Sequence, residues 1–84
     1  MPESLSEMVR AKLNAGVLPL EDPVRRWASF GTGKQCSVCE EPIQPSQTEY
    51  ELRYDNREPL RFHVVCHSRW DSERRRSSRY RRRA

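Results

Sequence analysis

The sequence predicts a small α+β domain, with a helix near the N-terminus, a β-hairpin in its second half and a further helix opening at about residue 63. Three observations predict it. Leu5, Met8, Val9 and Leu13 fall at i, i+3, i+4 and i+8, the single apolar stripe of a helix. Tyr50, Leu52 and Tyr54 alternate with Glu51 and Arg53, the period of two of a half-buried strand. Cys36-x2-Cys39 and His63-x2-Cys66 bracket that strand region, two short pairs of side chains of the kinds that ligate metal.

The first helix is marked at both ends. Ser4 and Glu7 have the S-x-x-E spacing of a capping box. Gly16 sits where a left-handed residue closes a helix, and Pro19 blocks continuation. The apolar stripe is narrow, so the helix is expected to pack on the body rather than to recruit a partner. Residues 17–35 read as irregular, punctuated by Pro19, Pro23, Gly31 and Gly33, with Trp27 and Phe30 as the apolar anchors of the segment. Gly31-Thr32-Gly33-Lys34 departs from the phosphate-loop pattern. One residue separates its glycines where that pattern needs four, and Gln35 and Cys36 follow the lysine. The hairpin turns at Asp55-Asn56, and Leu60 and Phe62 resume the alternation with Arg61 outward. Pro59 places the second strand's start late, or the strand at an edge. From His63 the chain reads as helix through Glu73 or beyond.

A chain of 84 residues, 35% of them apolar, makes one small domain and needs a staple to offset its conformational entropy. Three cysteines cannot close a complete set of internal disulfides. Residues 1–7 lack the basic-then-apolar order of a secretory signal, and no apolar run approaches the length of a membrane span. The expectation is a soluble, cytoplasmic protein in reducing surroundings, where paired cysteines hold metal more often than disulfides.

Cys36 and Cys39 reach one ion from a tight turn, and positions i and i+3 on the first turn of a helix bring His63 and Cys66 to one face. Together they make Cys3His, a complete tetrahedral set for one structural Zn2+. A redox C-x2-C wants a βαβ context that is not visible, and rubredoxin-like iron wants four cysteines. His67, four residues after His63, is a fifth candidate. The softer thiolate favours Cys66 for the fourth position, with His67 as the alternative. Trp70 is i+4 from Cys66 and is expected to cap the site, with Leu52, Leu60, Phe62 and Val65 completing the core. A closed ligand set leaves no position for water or substrate, and Glu40-Glu41 and Glu49/Glu51 read as solvated surface. The expectation is therefore not an enzyme, with no small-molecule substrate.

The order of knuckle Cys36-x2-Cys39, hairpin, and His63-x2-Cys66 opening a helix resembles a treble-clef zinc finger. The C-x2-C-x23-H-x2-C spacing is similar to the first zinc half of a LIM domain, over about residues 34–72, and the layout resembles short, uncharacterised bacterial zinc-finger proteins. The resemblance implies a zinc-stapled treble clef with an additional N-terminal helix. Residues 1–33 would be helix and lead-in, 34–73 the finger and 74–84 an Arg-rich tail. No single activity follows, because treble clefs serve nucleic-acid binding, protein binding and catalysis alike. A LIM domain continues with a second ligand set, whereas no cysteine follows Cys66 here.

Charge is divided unevenly. Residues 1–67 carry eight Lys/Arg against ten Asp/Glu, and residues 68–84 carry eight Arg against two acids. Arg74, Arg75, Arg76, Arg79, Arg81, Arg82 and Arg83 are candidate phosphate contacts, with Tyr80 as a candidate stacking residue. The tail lacks the apolar face that membrane-surface binding requires. A nucleic-acid-binding accessory protein gripping through this tail is the favoured function. The alternative is a protein-interaction adaptor using the hairpin and the Trp27/Phe30 segment.

Overall fold

The computed structural model describes residues 4–77. In chain order the elements are α1 (Leu5–Asn14), β1 (Arg25–Phe30), β2 (Thr48–Tyr54), β3 (Arg57–His63) and α2 (Val64–Arg76). The strands form one antiparallel sheet in the order β1-β2-β3.

The capping box of α1 is formed. The Ser4 hydroxyl accepts from the Glu7 amide at 3.1 Å, and the Glu7 carboxylate accepts from the Ser4 amide at 3.0 Å. Gly16 takes the left-handed conformation at φ 78°, and the Val17 and Leu18 amides return to the Lys12 carbonyl. Val9 and Leu13 are buried, and α1 packs on α2.

In the hairpin, Tyr50 pairs with Phe62 and Leu52 with Leu60. Tyr54 then pairs with Arg57, so two steps along β2 face three along β3, and the extra residue lies at Glu58-Pro59. The bulge and the edge position of β3 accommodate a proline that cannot donate to a ladder.

Residues 17–35 depart from the irregular reading. Arg25–Phe30 form a strand paired with β2, from Arg25 opposite Arg53 to Phe30 opposite Thr48. All six residues of β1 are exposed, Trp27 at 39% and Phe30 at 82%, so these two aromatics do not anchor the segment. Buried Leu18 and the carbonyls beside it do. The Trp70 indole donates to the Pro19 carbonyl, and Arg74 donates to that of Leu20, both at 3.0 Å. Leu52, Phe62 and Trp70 occupy the core as expected, joined by Val9, Leu13, Leu18, Val38 and Ile43. Leu60 is only partly buried, and Val65 is 60% exposed, since it precedes Cys66 on the helix and turns away from the face that buries Cys66 and Trp70. No helix among the described residues is long and apolar enough to cross a membrane.

Candidate metal centre

The first two candidate ligands, Cys36 and Cys39, sit in a tight knuckle. The Cys36 amide donates to the Glu41 carbonyl, and the Glu40 amide to the Cys36 carbonyl. Glu40 takes a left-handed φ of 68° as the chain reverses, and Gln35 bridges to Pro42 across the turn. The Val38 amide donates to the Cys36 sulfur at 3.4 Å. Two contacts dock the knuckle. Lys12 of α1 donates to the Ser37 and Val38 carbonyls at 3.0 and 2.8 Å and pairs with Glu40 at 2.8 Å. On the other side, the Ser37 amide donates to the Arg61 carbonyl, and the Arg61 amide to the Ser37 hydroxyl.

That docking brings the knuckle to the junction of β3 and α2. His63 ends the strand and N-caps the helix, and Cys66 lies on the first turn. The three sulfurs and one His63 ring nitrogen lie within 4.8 Å of one another. His63 Nδ1 is 3.4 Å from the Cys39 sulfur and 3.9 Å from that of Cys66. An ion held tetrahedrally at about 2.3 Å from sulfur and 2.0–2.1 Å from nitrogen sets S···N edges of about 3.5 Å and S···S edges of about 3.8 Å. The four donors could therefore hold one metal ion. His63 Nε2 lies 3.3 Å from the Pro42 carbonyl, an acceptor that selects the Nε2–H tautomer and leaves the Nδ1 lone pair facing the sulfurs.

The three thiols perturb one another's ionisation. A hydrogen bond from Cys66 holds Cys36 down, to about 4, against the upward push of burial. The same bond, burial, and the charges of Cys36 and Cys39 push Cys66 up, and burial pushes Cys39 up. Three thiolates repel one another in so small a volume, and a bound dication offsets that repulsion.

His67 does not join this cluster. Its ring stacks on Tyr50 at 4.6 Å and packs beside Trp70 and Phe62, with Nε2 buried and without a hydrogen-bond partner. Burial, then the charge of Arg26, lowers its pKa. Of the two candidates for the fourth position, Cys66 is the one that lies beside the other three donors. Glu40 and Glu41 are exposed, as read from the sequence, but Glu49 is buried. The Glu49 carboxylate accepts from the Thr32 amide and hydroxyl at 3.0 and 2.8 Å and pairs with Arg61 at 3.1 Å. This ties the lead-in loop to the strand that carries His63.

Of the candidate nucleic-acid contacts, Arg74 lies inside the molecule. Cys66, Trp70 and Arg74 follow one another at i, i+4 and i+8, so the arginine falls on the inward face of α2. Its guanidinium lies 4.5 Å from the Trp70 ring centre and pairs with Asp22 at 2.6 Å and Asp71 at 2.8 Å. The spacing from Cys66 was the available signal, and the run of arginines around it masked that signal. Arg75 and Arg76 are exposed, Arg75 pairing with Asp71 at 3.2 Å. Arg79, Tyr80, Arg81, Arg82 and Arg83 lie outside the described residues. No known family model, curated protein or solved structure matches the chain.

Proposed function

We propose that Cys36, Cys39, His63 and Cys66 hold one structural zinc ion, and that the domain it staples is a non-catalytic nucleic-acid-binding module. The convergence of three sulfurs and the His63 Nδ1 on one point carries the zinc reading. Soft thiolate with imidazole suits zinc, and four protein donors leave no open position for catalysis. The sequence of knuckle, hairpin and helix supports a treble-clef reading, and the free thiols suit a reducing cytoplasm. Nucleic acid follows from charge, since exposed Arg75 and Arg76 lead into four further arginines in the sequence. A protein adaptor is the second reading, favoured by the exposure of Phe30.

The test is a titration of single- and double-stranded nucleic acid with zinc-loaded full-length protein at several salt concentrations. The comparison protein replaces Arg75, Arg76, Arg79, Arg81, Arg82 and Arg83 with Gln. Truncation at Glu73 is unsuitable, because it removes the buried Arg74. Neutralising six phosphate contacts should flatten the slope of log affinity against log salt by about four to five. An unchanged slope removes the tail from the reading. A parent that binds neither form refutes nucleic-acid binding and leaves the adaptor.

A further inference from the structure

Resting on the nucleic-acid reading, we propose that the outer face of β1 and β2 is a second site, separate from the tail, that takes single-stranded nucleic acid by stacking a base on Trp27. The register places Arg25 opposite Arg53 and Trp27 opposite Glu51, and Glu51 in turn opposite Arg61. These residues share one face. Leu52, buried in the core, marks the other face, where His67 of α2 stacks on Tyr50. Trp27, on an edge strand, keeps 39% of its surface exposed and is neither in the core cluster nor among the hydrophobic side chains packed against it.

Charge selects the partner. The Arg53 guanidinium lies 5.5 Å from the Trp27 ring centre, and exposed Arg25 stands across from Arg53. The acids on this face are engaged, Glu51 by Arg53 at 3.1 Å and Arg61 at 3.9 Å, and Glu49 by Arg61 at 3.1 Å. An indole flanked by guanidinium groups matches a base flanked by phosphates. The centre of a protein-binding patch is depleted in charge, which this face is not. A single strand fits better than a duplex, because only unstacked bases offer a ring face. Phe30, three residues after Trp27, projects from the opposite side of the strand and takes no part.

The experiment follows tryptophan fluorescence while zinc-loaded full-length protein is titrated with a dT homopolymer or with a duplex. Trp70 is buried, so quenching by the strand reports Trp27. Trp27→Ala should weaken single-strand binding by about five- to 150-fold, the worth of one stacked base, with Trp27→Phe recovering part of it. Duplex affinity should be unchanged in both, as should the ratio of metal to protein, which verifies folding. The six-Gln tail variant should still show the quench at low salt. Parental single-strand affinity in Trp27→Ala overturns the platform and leaves the tail reading standing. An equal loss in Phe30→Ala also overturns it, showing a general apolar docking strand. If the parent binds no nucleic acid at all, both readings fail.

Discussion

His63 and His67 show why spacing alone does not assign a ligand. They are four residues apart, the interval that aligns side chains on a helix. Yet His63 still belongs to the strand, with φ −64° and ψ 161°, and takes the helix N-cap position. Its ring therefore follows the pleat of β3, on the face it shares with Glu49, while His67 obeys the helix and lands on Tyr50. One residue of strand geometry separates a candidate ligand from a core ring. His67→Phe tests this. It keeps the stack and removes the buried, unpaired Nε2, whose desolvation costs about 1–3 kcal/mol. The variant should retain one metal per chain by elemental analysis and unfold at a denaturant concentration no lower than the parent. Cys66→Ser should lose the metal. Loss of metal from His67→Phe with retention in Cys66→Ser would reverse the assignment.

At the scale of elements, legibility followed the local signals. The α1 helix announced itself through its cap, its stripe and Gly16, all of which are properties of neighbouring residues. The hairpin announced itself through alternation. Strand β1 did not, because a strand exposed along its whole length has no buried face to impose a period of two. The candidate ligand residues were legible because coordination chemistry restricts their identity, whereas the contacts that dock the knuckle come from distant, ordinary residues such as Lys12 and Arg61. In the link from β1 to the knuckle, the two glycines answer to different constraints. A β-carbon on Gly31 would lie 2.0 Å from the Gln44 carbonyl oxygen and 2.6 Å from that of Ile43, both backbone atoms. Gly33 has open space around it but a φ of +83°. Gly31→Ala must therefore push β1 away from the 43–44 segment, while Gly33→Ala carries only the left-handed penalty of roughly 1–2 kcal/mol. In denaturant unfolding of zinc-loaded protein, Gly31→Ala should be the more damaging. Equal effects would mean that the close approach at Gly31 relaxes without cost.

At the scale of the whole molecule, the metal centre is where the separate parts meet. Lys12 brings α1 to the knuckle, Ser37 joins the knuckle to β3, and His63 and Cys66 carry the join into α2. Through α2 it reaches Trp70 and Arg74, which hold the 18–22 segment. The apolar core that spans these parts is small, and two of its buried members, Cys36 and Cys66, are themselves candidate ligands. Structural zinc contributes an apparent 10–16 kcal/mol in finger peptides, comparable with the 5–15 kcal/mol by which whole domains are stable. On the proposed zinc reading, removing the ion takes away a contribution as large as the net stability. A strong chelator, with a reductant present to prevent disulfides, should abolish the near-UV dichroism of the Trp70, Phe62 and Tyr50 cluster. Added Zn2+ should restore it. If the dichroism survives complete metal removal, the core stands by itself and the four donors contribute no more than a surface clip.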